Sequence, residues 1–142
     1  MVFIGKELIK IKNITLNMIN EFKIREIGCD FMGYKLQKQD SLTFHHLIIP
    51  RRNGGKITRQ NGAIIQRTPH DYLHLIERID YDTFCYLTSE MIDMNIKGYL
   101  DPENLANIQE ILEDFEIRYE GKTGKKGKIL IKEEYKNGRI EL

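Results

Sequence analysis

All four histidines of this chain, His45, His46, His70 and His74, fall within thirty of its 142 positions. Imidazole is the commonest side-chain metal ligand, and with an unperturbed pKa of about 6.5 it also serves as a proton acceptor at neutral pH. His70 and His74 have the spacing H-x-x-x-H. On a helix that spacing puts both rings on one face with Cβ atoms about 5–6 Å apart, within reach of one ion at about 2.0–2.1 Å. His45 and His46 are adjacent in LTFHHLII, a run rich in β-formers. Successive strand side chains point to opposite faces, so regular geometry does not offer both rings to one ion. A division of labour follows, with one histidine a ligand and the other free to move protons. It requires the backbone at His46 to depart from strand geometry.

The elements that must position these residues can be read around them. Residues 1–12 suggest a short strand or an arm, and Asn13 or Thr15 starts a helix with Leu16, Ile19, Phe22 and Ile27 along one side. Gly28 stops it. The aromatic stretch 29–37 is turn-bounded and suited to pairing with a neighbour. Leu42 to Ile49 reads as a strand ending at Pro50, and 51–62 as a loop carrying Asn53-Gly54-Gly55 and Asn61-Gly62. Ala63 to Gln66 is a second short strand. Thr68 as N-cap and Pro69 at the first helical position open a helix bearing Tyr72, Leu73, Ile76 and Ile79. Asp80 or Asp82 caps another helix, with Phe84, Leu87, Met91 and Ile92, closing near Gly98. Asp101-Pro102 opens a last one, which Gly121 ends. Around the histidines the order is therefore strand, long loop, short strand, helix.

Composition bounds what such a site could serve. Hydrophobic content of 41% and charged content of 30% describe a globular chain, most simply one domain with extensions, and the strands and helices read along it make its class α+β. Net charge is only +1, yet no acidic residue lies between Asp40 and Asp71, where Arg51, Arg52, Lys56, Arg59 and Arg67 carry +5. A local basic patch on a near-neutral body fits a polyanion at one face. Cys29 and Cys85 stand 56 positions apart and form neither a zinc knuckle nor a disulfide framework. Lysines interrupt the apolar residues of the N-terminus, so no signal-peptide core is expected, and no apolar run reaches the roughly 20 residues of a membrane helix. The expected location is the cytoplasm, with no membrane partner.

The string HHLIIPRRNGG, followed by Asn61 and, nine residues later, His70, resembles the HNH endonuclease motif of the ββα-metal nucleases. His46 matches its first letter, Asn61 its middle and His70 its last. The His-His form, with H-x-x-x-H on the helix, is most similar to the nuclease domains of DNase colicins. The resemblance spans roughly residues 29–79 and implies a ββα-metal core at 29–80. An N-terminal arm and helix (1–28), a helical extension (81–120) and a basic linker with a C-terminal hairpin about Asn137-Gly138 (121–142) flank it. It implies His45, His70 and His74 as metal ligands, His46 as general base and Asn61 as a brace for the loop around it. DNA is the implied partner, with RNA an alternative and a specificity-giving partner protein a further one; Arg51, Arg52, Lys56 and Arg59 are the candidates for holding phosphates. The C-x-x-C pairs that many members use for a structural zinc are absent. An all-histidine ligand set favours one Zn²⁺, Ni²⁺, Co²⁺ or Mn²⁺ per chain over oxygen-seeking Mg²⁺.

The alternative is a non-catalytic module that binds nucleic acid with the same ion in a structural role. A closed, four-ligand site including His46 would mark that alternative, whereas an open coordination position beside a histidine outside the ligand set would mark the enzyme.

Overall fold

The computed structural model describes residues 2–49 and 51–119, and the side chains of residues 12–49 and 52–119. The chain is a mixed α+β protein. Helix α1 (Val2–Glu21) and a single turn, α2 (Ile24–Ile27), lead to strands β1 (Leu42–His46) and β2 (Gly62–Gln66), followed by α3 (Arg67–Ile79), α4 (Tyr81–Lys97) and α5 (Pro102–Arg118). The arm or strand expected at 1–12 is instead the first part of α1, which is continuous through Asn13. Nothing in that stretch breaks a helix: the segment has no proline, and its one glycine is tolerated inside a 20-residue helix.

The link from α1 to β1 is tied to the sheet by a buried carboxylate. Gly28, at φ 85°, closes α2 with its N–H on Ile24 O. Beyond it, Asp30 Oδ1 accepts from the N–H groups of Met32 and Tyr34, while Oδ2 accepts from Gln66 N and Nε2 at the end of β2. Phe31 N donates to Ile64 O, so the aromatic stretch does pair with a neighbour, the free edge of β2. Phe31 meets Phe22, the residue that follows α1, edge to face at 4.8 Å.

β1 and β2 pair antiparallel in a register that runs from Leu42↔Gln66 to His46↔Gly62. All five β2 residues are buried. A short 3-10 turn at Arg51–Asn53 and another at Arg59–Asn61 shape the loop between the strands. β2 then runs straight into α3, which starts at Arg67, not at Pro69. Ser41 O takes the N–H of Arg67, and the Asp40 carboxylate takes that of Thr68 at 3.3 Å, so groups before β1 cap this helix. Pro69 still sits in the first turn, where a missing N–H breaks no helical bond. Asp80 caps α4 through Thr83 N, Gly98 at φ 84° closes it, and Asp101 caps α5 through Glu103 N with Pro102 at its start.

The apolar faces of these helices explain the packing. α3 buries Tyr72, Leu73 and Ile76 against both strands, and α4 buries Leu87, Met91 and Met94 against α3 and β2. α5 closes the far side of α4 with Leu105, Ile108, Leu112 and Phe115. α1 covers the strands, burying Met18 and Ile19, and Phe22 just beyond its end is buried with them. Among the described residues no helix is long and apolar enough to cross a membrane. Gly121, the basic linker and the hairpin at Asn137-Gly138 lie outside the described residues.

Candidate metal centre

Alternation along β1 sends Thr43 and His45 towards α3, and α3 presents His70 and His74 one turn apart. One ligand nitrogen from each of His45, His70 and His74 lies within 4.8 Å of the others. His45 Nδ1 is 3.1 Å from His70 Nε2. Two nitrogens that each lie about 2.0–2.1 Å from a tetrahedral ion are about 3.3–3.4 Å apart, so this pair is already near the required separation. The His70 and His74 ring centroids are 4.8 Å apart and those of His45 and His74 5.7 Å.

Two of the three rings are held by their other nitrogen. Thr43 Oγ1 lies 2.6 Å from Ile65 O and 2.8 Å from His70 Nδ1. The hydroxyl has one proton, and the backbone carbonyl can only accept, so Thr43 donates to Ile65 and accepts from His70 Nδ1–H. That leaves the lone pair of His70 on Nε2, facing the cluster. At His74, Nδ1 lies 3.3 Å from Glu77 Oε1, which orients the ring from the side away from the ligand position. His45 differs: it is buried, and its Nε2 has no hydrogen-bond partner among the described residues.

Two of the three rings are held in their neutral form by their surroundings. Burial, and then the nearby rings of His70 and His74, hold His45 well below the usual histidine range. Burial, the His74 ring and Arg67 bring His70 down to about 4. At neutral pH both rings therefore already have the unprotonated form a metal requires. The donor set and its spacing together fit a single borderline cation of the Zn²⁺ type.

His46 is not in this cluster. It remains the last paired residue of β1, opposite Gly62, and irregular backbone begins only at Leu47. The expected departure from strand geometry at His46 is therefore absent. Its ring lies on the Phe44 face of the strand, with centroids 5.0 Å apart in an edge-to-face arrangement. It reaches the site because β1 ends there: His46 lines the same cleft, of about 620 Å³, as His45, His70 and His74. Gly62 makes room for this corner, since a Cβ on it would clash with the Phe44 ring.

Asn61 holds the loop that follows His46. Its Oδ1 accepts from Ile48 N at 2.8 Å and Ile49 N at 3.0 Å, and its Nδ2 donates to Ile49 O and Lys56 O. Its own carbonyl accepts from Leu47 N. One buried amide thus joins the two ends of the loop and ties both to the start of β2.

The basic residues of this loop separate. Arg52 borders the metal cleft together with His74, Glu77 and Tyr81. Arg59 does not reach it. Its guanidinium is clamped by Glu21 of α1 and by the carbonyl and side chain of Asn95 in α4, and lies 5.1 Å over the Phe22 ring. All three of its side-chain nitrogens donate to Glu21 or Asn95, so Arg59 tethers the loop to α1 and α4. Lys56 is exposed but does not line the cleft. The Arg51 side chain lies outside the described residues.

Three contributors were not anticipated. Thr43 was legible in principle, because a residue two before His45 on a strand must share its face. The α4 wall of the cleft, with Tyr81, Phe84 and Cys85, depends on how α4 folds back over α3. Asp30, whose burial raises its carboxyl to about 6 despite its hydrogen bonds from Gln66, Tyr34 and Met32, gave no signal in the sequence. Of the acidic residues beside the ligands on α3, Glu77 contacts His74, whereas Asp71 is exposed and meets Arg67 at 4.0 Å. Comparison with family models, with curated proteins and with solved structures found no match for this chain.

Proposed function

We propose that this protein is a metal-dependent endonuclease of the HNH, ββα-metal type, hydrolysing phosphodiester bonds in DNA. The observation that carries the reading is the separation of the four histidines into a three-nitrogen cluster and a fourth ring beside it in the same cleft. The order β1, braced loop, β2, α3 is the order of such a core and supports it.

His45, His70 and His74 would hold one divalent ion, Zn²⁺, Ni²⁺, Co²⁺ or Mn²⁺ in preference to Mg²⁺. When bound, the ion supplies positive charge against a phosphate oxygen and the 3′ leaving oxygen. The chain's own residues do the rest. Thr43 and Glu77 keep the ligand rings oriented with their lone pairs inward. An imidazole nitrogen of His46 takes the proton of the attacking water, giving 5′-phosphate and 3′-hydroxyl ends. Asn61 is a positioning residue that fixes the backbone on which His46 ends. Arg52, at the mouth of the cleft, meets a phosphate.

Three protein ligands, one of them half-exposed at His74, favour an open site over a structural one. Supercoiled plasmid incubated with each divalent ion and with a chelator tests the proposal, with RNA run alongside. Nicking that appears with a transition-metal ion and stops with chelation supports it; no cleavage with any ion contradicts it.

A further inference from the structure

A second and larger cavity, of about 1020 Å³, runs between α1 and β1 and meets the metal cleft at Phe44, His46 and His70, which line both. It exceeds the space a small ligand needs, about 300–1,000 Å³. Lys12, Arg25, Lys38 and Arg67 stand around it. All four are exposed, and among the described residues no ion pair holds Lys12, Arg25 or Lys38. Asp40, the one carboxylate on the cavity, caps α3 through Thr68 N. The floor is apolar, made by Leu16, Ile19, Leu36 and Leu42, with Leu16 half-exposed and open to whatever enters.

We infer that this groove binds an unpaired strand of nucleic acid and leads it to His46. The inference rests on the nuclease reading for its direction but not for its test. Cations around an apolar floor suit a chain that carries phosphates on one side and bare base faces on the other. A duplex offers its phosphates on a convex rod and keeps its base faces stacked inside, so it makes poor use of a concave apolar floor. The groove also explains why the loop basic residues are dispersed. Phosphate contact shifts from Arg59, which is locked into the fold, to four cations beside the strand that carries His46.

Binding can be measured without cleavage, by fluorescence anisotropy of labelled oligothymidylate and oligouridylate in chelator. Each phosphate neutralised on a single strand contributes about −0.7 to the slope of log K against log salt, so four contacts give about −2.8. Arg25→Ala/Lys38→Ala should reduce the slope to about −1.4. Lys97→Ala/Arg118→Ala removes the same charge at the ends of α4 and α5, away from both the groove and the metal cleft, and should leave the slope unchanged. Unlabelled single strand should displace the probe better than blunt duplex of equal length. An equal fall in slope for both double variants, or stronger competition by duplex, overturns the inference. Plasmid nicking by the wild type with unchanged binding slopes in Arg25→Ala/Lys38→Ala would reject the groove alone. Groove-dependent binding without cleavage under any metal ion would reject the nuclease reading alone.

Discussion

Thr43 accepts a 2.8 Å hydrogen bond from His70 because its own proton is committed to Ile65 O at 2.6 Å. A threonine two residues from His45 thereby fixes which nitrogen of His70 carries a lone pair. Removing such an outer partner of a ligand histidine typically lowers metal affinity about 10–100-fold. Thr43→Val should show a loss in that range by competition with a chromophoric chelator. Thr43→Ser, which keeps the hydroxyl, should restore most of it. Equal affinities for Val and wild type would dissociate Thr43 from the site.

Asn61 makes four side-chain hydrogen bonds to the loop after His46 and none to the histidine cluster. Asn61→Ala should lower stability by about 2 kcal/mol, the net worth of two to three hydrogen bonds, and reduce cleavage while leaving metal affinity intact. Asn61→Asp retains both acceptor bonds to Ile48 and Ile49 and should recover part of the activity. Calorimetric metal titration beside plasmid cleavage separates the two effects; parallel loss of metal and activity would refute a positioning role.

Gly62 is required by Phe44, not by its own backbone, which is extended at φ −131°. Gly62→Ala forces a methyl into the Phe44 ring and should destabilise by about 1–3 kcal/mol in urea unfolding. Adding Phe44→Leu should make the double variant more stable than the sum of the two single changes, since the residues are in contact. Strict additivity would show that the ring moves aside freely.

Two buried groups give the metal-free protein opposing responses to pH. Burial raises Asp30 from 3.8 to about 6, so between those values the native state keeps a proton that the unfolded chain has released. Stability from Asp30 therefore falls as pH rises through that window, by about 3 kcal/mol. Burial lowers His70 from 6.5 to about 4, so the unfolded chain holds the extra proton and stability rises with pH over that interval, by a similar amount. The two nearly cancel between about pH 4 and 6, and His45, lowered as well, tips the balance towards greater stability at neutral pH. Asp30→Asn should therefore steepen the loss of stability on acidification, even though its lost hydrogen bonds lower stability overall. Denaturant midpoints at a series of pH values in chelator check this. An unchanged slope would place the Asp30 carboxyl near its ordinary range.

Much of this architecture was legible from local chemistry. The β1 and β2 segments, the Asp80 and Asp101 caps and the Gly98 stop follow from turn and cap residues acting over a few positions. The His70/His74 pair followed from helical spacing alone. What the sequence concealed is long-range. Arg59 reads as a free cation in a basic loop, yet Glu21 and Asn95, 38 and 36 positions away, neutralise and hold it. The start of α3 was displaced because its capping groups, Ser41 and Asp40, come from before β1. Residues 2–12 were misjudged because the helix they belong to shows a legible apolar face only further along. The opposite-face argument for His45 and His46 was sound, but the need for an irregular backbone was not, since a strand that ends at the site offers both of its faces to the cleft.

The central claim is that His45, His70 and His74 bind the ion while His46 handles the proton. Metal titration and plasmid cleavage of His46→Ala, beside His70→Ala, test it most directly. The account predicts that His46→Ala binds one ion with near wild-type affinity and does not cut, whereas His70→Ala loses the ion and the activity together. A His46→Ala variant that still nicks plasmid, or that no longer binds the ion, would contradict it.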